Sequence, residues 1–161
     1  VRTYTNETHE ATSTVREALA ITTSTVASLN ELVKNDHRTL VMMVVPDPEL
    51  PASSFKRALV DQVVVAAEKE GIAVVDLDPL FRAYQRAHGL PAPYFGYSCD
   101  GHWNPLGHRL ASLLVAKTLL EKNLLPVDST RSSAALEKID LELKKTPKDL
   151  IGPQRFSTIY K

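Results

Sequence analysis

The sequence predicts a three-layer α/β/α protein, with helices on both faces of a parallel sheet. Three observations carry this. Residues 39–45 and 72–77 are predominantly apolar runs that do not alternate, which is how strands buried on both faces read. Stretches of helical period lie before, between and after them. Turn residues punctuate the junctions, so the order is helix, strand, helix, strand, helix.

The first helix is predicted over residues 7–34, with Val15, Leu19, Val26, Leu29 and Val33 on its inner face. Its middle, Thr22-Thr23-Ser24-Thr25, is a poor helix former and has to be held by packing. Asn35-Asp36 supplies the stop. The first strand ends at Pro46, and Pro46-Asp47-Pro48-Glu49-Leu50-Pro51 is a stiff loop. Ser53 or Ser54 caps a second helix that carries Phe55, Leu59, Val63 and Ala66 inward. Gly71 fits its left-handed stop. The second strand leads to Asp78-Pro79, read as cap and first residue of a short helix ending near His88-Gly89.

Residues 90–103 form a loop rich in proline, glycine and aromatics. Asn104-Pro105 opens another helix, with Leu106, Leu110, Leu113 and Leu114 inward, that ends near Asn123. Beyond Pro126, residues 132–145 form one more amphipathic helix with Leu136, Ile139 and Leu143 inward, and 146–161 extend as a tail. Residues 1–125 are thus read as part of an α/β domain, and 126–161 as a terminal helix and tail. Two interior strands alone cannot satisfy their outer backbone groups. The expectation is a domain incomplete at its N-terminus, with the missing strands upstream of Val1.

The 161 residues suffice for one real core, and 19 basic residues balance 19 acidic ones. A net charge of zero gives no steering toward nucleic acid or an anionic membrane. No apolar run approaches the roughly 20 residues of a membrane span. Cys99 is the sole cysteine, which excludes an internal disulfide and a cysteine-based zinc site. It adjoins Asp100, yet it reads as a small loop residue rather than a nucleophile.

The chemistry sits in Cys99-Asp100-Gly101-His102-Trp103-Asn104-Pro105-Leu106-Gly107-His108. In a locally extended loop, side chains two apart project to the same side. The Asp100 carboxylate can then accept from Nδ1 of His102, which fixes the tautomer and leaves Nε2 as a general base. Gly101 permits the backbone angles between them. A lone Asp-x-His is weak evidence, since both residues are common in loops.

The longer string, Asp-Gly-His-Trp-Asn-Pro-x-Gly-His before an apolar helix, resembles the last block of SGNH (GDSL-type) hydrolases. The resemblance is specific around residues 94–111, including Pro93-Tyr94-Phe95, and architectural over residues 7–123. It implies a flavodoxin-like SGNH fold and a serine-dependent carboxylic-ester hydrolase, with a carbohydrate O-acetyl ester as one substrate class. Asp100 and His102 would complete a catalytic triad with a serine and work through an acyl-enzyme. It implies no cofactor and a small-molecule or glycan ester as partner, in an extracytoplasmic or membrane-associated setting.

Two departures stand out. No Gly-Asp-Ser occurs, and Ser13, Ser24, Ser28, Ser53, Ser54 and Ser98 lack the context of a nucleophile. The serine is therefore expected upstream, and the chain alone is expected to be inactive. The spacing Asp-x-His-Trp is shorter than the family's usual Asp-x-x-His. It is similar to that of bacterial polysaccharide O-acetyltransferase relatives, in which the Asp-His element usually precedes the serine. O-acetyl transfer is thus an alternative to hydrolysis, and a non-catalytic glycan- or protein-binding relative is a third reading.

Among the neighbours, Trp103 is a candidate for stacking on a sugar or for plugging the loop. Asp47, beyond a strand's C-terminal end, is a candidate for the substrate cleft or a turn residue. Asn104 reads as a helix cap, Gly107 as a point of close helix–sheet approach, and His108 as structural. Asp100, His102 and His108 lack the one-face spacing of helical metal ligands, so no metal is expected.

Overall fold

The computed structural model describes residues 13–46, 54–90, 94–96 and 102–151. The elements are α1 (Ser13–Asn35), β1 (Val41–Val44), α2 (Phe55–Lys69), β2 (Ala73–Asp76), α3 (Leu77–Ala87), α4 (Pro105–Glu121), α5 (Ser129–Leu143) and α6 (Pro147–Ile151). The protein is α/β and mostly helical, and β1 and β2 form a small parallel sheet. The chain divides into two compact units. One comprises Val1–Met42 and Leu50–Val74, the other Met43–Glu49 and Val75–Lys161.

In the first unit α1 packs along α2. Residues 16–23 of α1 share a groove with residues 61–69 of α2, and Asn30 meets Glu70, so the two helices run in the same direction. Val15, Leu19, Val26 and Val33 are half-buried as expected, but Leu29 is exposed. Asn30 takes the buried position one residue on. Its Nδ2 donates to the Glu70 carbonyl at 2.9 Å, and Lys34 Nζ donates to the same oxygen at 3.1 Å. Glu70 is the C-cap of α2, so both satisfy a carbonyl that the helix leaves without a partner.

The threonines of α1 turn back on their own helix. Thr22 and Thr25 donate to the carbonyls of Ala18 and Ile21, both at 2.8 Å, and Thr23 donates to Ala20 at 3.1 Å. The helix ends at Asn35, as Asn35-Asp36 suggests. His37, at φ 55°, is the left-handed residue, and Arg38 N–H reaches the Val33 carbonyl at 3.1 Å. Ser54 caps α2 by accepting from Arg57 N–H at 3.2 Å, and Gly71 ends it at φ 72°. Phe55 is exposed rather than inward, and Ala67 rather than Ala66 is the buried alanine.

The two strands differ: β2 is as expected and β1 is not. Val74 and Val75 are consecutive and both buried, so β2 is covered on both faces. β1 alternates, with Val41 and Met43 exposed. Its continuous apolar run predicts two buried faces, and among the described residues one is covered.

In the second unit, Leu77, Phe81, Tyr84, Phe95, Leu106, Leu110, Leu113 and Leu114 make one core with Val75 and Leu150. The start of α3 differs from the sequence reading. Leu77 opens the helix, and Asp76 caps it by accepting from Asp78 N–H at 3.1 Å. Asp78 lies inside the first turn and pairs with Arg82 at 2.9 Å. Gly89, at φ 61°, ends α3 as expected. α4 begins at the Asn104-Pro105 boundary and buries all four predicted leucines.

α5 starts at Ser129, capped by Asp128, three residues before the predicted start. It packs on α4 with Ile139 and Leu143 against the core, and Lys117 binds Asp140 at 2.6 Å. Residues 147–151, expected as tail, form α6, which packs on α4 and buries Leu150. Tyr84 Oη donates to the Lys145 carbonyl at 2.9 Å and ties α3 to the end of α5. Among the described residues, no helix is long and apolar enough to cross a membrane.

Candidate active site

The entrance of α4 is built by Asn104, whose side chain is fully buried. A buried primary amide has to find partners, because each unmet polar group costs about 1–3 kcal/mol. Here every part of it is used. Oδ1 accepts from Gly107 N–H at 3.0 Å and caps the helix. Nδ2 donates to the Tyr94 carbonyl at 2.9 Å and the Gly96 carbonyl at 3.3 Å. Its backbone N–H donates to the Phe95 carbonyl at 2.8 Å. Pro105 occupies the first helical position, where its missing N–H is no loss.

Gly96 and Trp103 form an antiparallel bridge beside this clasp. Residues 94–96 and 102–104 are therefore held together by the bridge and by Asn104. Gly107 lets the helix approach the loop. A Cβ there would lie 2.5 Å from the Phe95 carbonyl oxygen, 3.1 Å from Trp103 Cβ and 3.3 Å from Phe95 Cβ. The close neighbour is thus the 94–96 segment rather than the sheet.

Aromatic rings support the clasp from the core. Phe95 is buried and meets Phe81 edge-on, with ring centroids 4.9 Å apart. Trp103 is half-buried and stacks on Phe81 at 5.3 Å. The exposed His108 ring stands edge-on to the indole at 5.7 Å. Burial, with a smaller contribution from Tyr94, pushes the Tyr84 phenol up to about 12, and burial also raises that of Tyr94. The surroundings of the clasp are therefore apolar and, near neutral pH, uncharged on their phenols.

His102 is exposed and directly precedes the bridge residue Trp103. Asp100, Cys99, Ser98, Pro93, Ser53 and Asp47 lie outside the described residues. Trp103 combines packing on Phe81 with partial exposure. Among the described residues, no cluster of three or more His, Cys, Asp or Glu side chains is placed to hold a metal ion. The sequence reading took Asn104 for a cap and missed its grip on Tyr94 and Gly96. The available signal was the residue type, since Asn adds two donors that the equally good caps Ser and Asp lack.

No curated protein and no solved structure matches the chain. Residues 4–151 match the family model described as "SGNH hydrolase-like domain, acetyltransferase AlgX". The match runs past residue 123, where the sequence resemblance ended, and takes in α5 and α6. With its Asp-Gly-His-Trp block at the mouth of α4, this chain belongs to the SGNH hydrolase-like domain family of the acetyltransferase AlgX.

Proposed function

We propose that the chain supplies the Asp100–His102 pair of an O-acyltransferase that carries an acyl group, acetyl in the simplest case, from a donor ester to a hydroxyl of a glycan. The observation that carries this is the Asp-Gly-His-Trp block in a chain matched to an acetyltransferase family over residues 4–151. Exposure of His102 supports it, since a general base has to reach its substrate. The half-exposed Trp103 indole beside it offers a face for a sugar ring, and Asp47 is a second candidate for substrate contact.

The chemistry balances in two half-reactions. His102 Nε2 takes the proton of a serine hydroxyl as Oγ attacks the acyl carbonyl. The imidazolium returns that proton to the departing donor oxygen, leaving an acyl-serine. The acceptor hydroxyl then attacks this ester while His102 takes its proton, and the serine oxygen leaves with that proton. Asp100 holds the imidazole tautomer throughout. Water in place of the acceptor gives an ester hydrolase from the same intermediate.

Seven of the serines lie within helices: Ser13, Ser24 and Ser28 in α1, Ser112 in α4, and Ser129, Ser132 and Ser133 in α5. Ser54 is occupied as a cap. With no Gly-Asp-Ser in the sequence, we assign the nucleophile to chain outside these 161 residues.

The test uses the product of the intact reading frame with p-nitrophenyl acetate as donor. A burst of p-nitrophenolate, then faster turnover on adding an oligosaccharide acceptor, is expected. His102→Ala should slow acylation by about 10²–10⁴-fold. Unchanged turnover in that variant would overturn the proposal. Acceptor-independent release identifies the hydrolase, and no release at all identifies a non-catalytic binding relative.

A further inference from the structure

We infer that Asn104 is a positioning residue for His102, beyond its role as a helix cap. This rests on the reading of His102 as the general base. The geometry is specific. Asn104 follows His102 by two residues and is fully buried beside the Gly96–Trp103 bridge. It holds two arms together, residues 94–96 and 102–104: its Nδ2 donates to the carbonyls of Tyr94 and Gly96, and its backbone N–H donates to that of Phe95.

A cap needs one acceptor, and Oδ1 supplies it through Gly107 N–H. The two Nδ2 bonds do nothing for the helix. They fix the spacing and direction of the 102–104 arm, from which His102 extends, against residues 94–96. The Gly107 approach leaves the clasp no room to slip toward α4. General-base catalysis depends on placement to within a fraction of an ångström, so loosening the arms should lower turnover without removing any group that touches substrate.

Asn104→Ser separates the two roles. Serine keeps the capping acceptor and loses both donors. If Asn104 were only a cap, the variant would behave nearly as the parent. On the positioning reading, kcat for p-nitrophenyl acetate falls tenfold or more with KM within twofold. The His102 ring resonance, identified by its loss in His102→Ala, shifts, while that of His37 does not.

Asn104→Asp, which is isosteric and keeps the acceptor, makes the same comparison if the serine variant does not fold. The inference falls if either folded variant keeps kcat within twofold and leaves the His102 resonance in place. The resonance is read whether or not the protein is active. Full activity of His102→Ala would therefore defeat the acyl-transfer reading alone, and an unmoved resonance would defeat the positioning role alone.

Discussion

The α1–α2 pair and the α3–α4–α6 assembly solve the same problem differently. The second buries whole aromatic and leucine side chains, among them the fully buried Leu77, Leu106 and Leu110. It also seats a loop against a helix so closely that one added carbon meets backbone. The first pairs two helices along half-buried aliphatics and leaves Ile21 60% and Leu32 65% exposed. Its sharpest fixed point is polar, the Asn30 and Lys34 grip on the Glu70 carbonyl. The contrast teaches that a tight fit is concentrated where a loop has to be held still. Elsewhere helix pairing tolerates slack, since stability needs only buried area and satisfied ends.

Two glycines break or sharpen this contrast most. Gly107 lies in α4, where alanine would ordinarily gain about 1 kcal/mol in helix propensity. The clash with the Phe95 carbonyl should reverse that sign, and we expect Gly107→Ala to lose about 1–3 kcal/mol in denaturant unfolding. A gain in stability would show that the approach is not tight. Gly71, in the first unit, has nothing within 4 Å of the added carbon and is limited only by its φ of 72°. Gly71→Ala should cost about 1–2 kcal/mol through backbone strain, and Gly71→Asn less, because asparagine tolerates that conformation. No residue type should rescue Gly107 in this way.

A smaller effect is expected at Asn30. Removing its amide by Asn30→Ala leaves Lys34 on the Glu70 carbonyl, so the loss should be about 1 kcal/mol, read as a shift in unfolding midpoint. No change would mean that Lys34 alone satisfies the helix end.

Tyr84 sharpens the comparison through pH. Its phenol ordinarily titrates at 10.0 and is pushed up to about 12 in the folded protein, chiefly by burial. The folded state therefore holds this proton more tightly than the unfolded chain. Its contribution is fully present below about pH 10 and is lost as pH rises from there through about 12. Tyr84→Phe removes the group and its hydrogen bond to Lys145. The stability gap between parent and variant should narrow over that window, and a constant gap would contradict the burial.

The smallest effects belong to the open face of α1. Ile21→Lys and Leu32→Lys should each alter stability by no more than about 0.5 kcal/mol. A loss above 1 kcal/mol in either would mean that this face is covered.

Much of the fold was legible because its signals are local. Ser54, Gly71, Gly89 and the Asn104-Pro105 pair each end or begin a helix through contacts within four residues. Where local rules offered two candidates, the choice failed. Asp76 and Asp78 both suit a cap, and chain direction out of β2 selected Asp76. The helical period put Leu29 on the α1 stripe, and Asn30 takes the buried position instead, bonded to the Glu70 carbonyl. The short α6 carries too few residues for a periodic signal and owes its place to Leu150 in the core.

The candidate site divides in the same way. The string of residues 99–108 by itself determined that an acid and an imidazole stand two apart beside a helix start, because motif chemistry and capping are matters of neighbouring residues. That Asn104 grips Tyr94 and Gly96, that Gly107 admits the Phe95 carbonyl, and that Trp103 lies on Phe81 were decided only in three dimensions. These contacts join segments distant along the chain. Their energies depend on which atoms meet after the core has closed, and no periodicity or turn rule encodes that meeting.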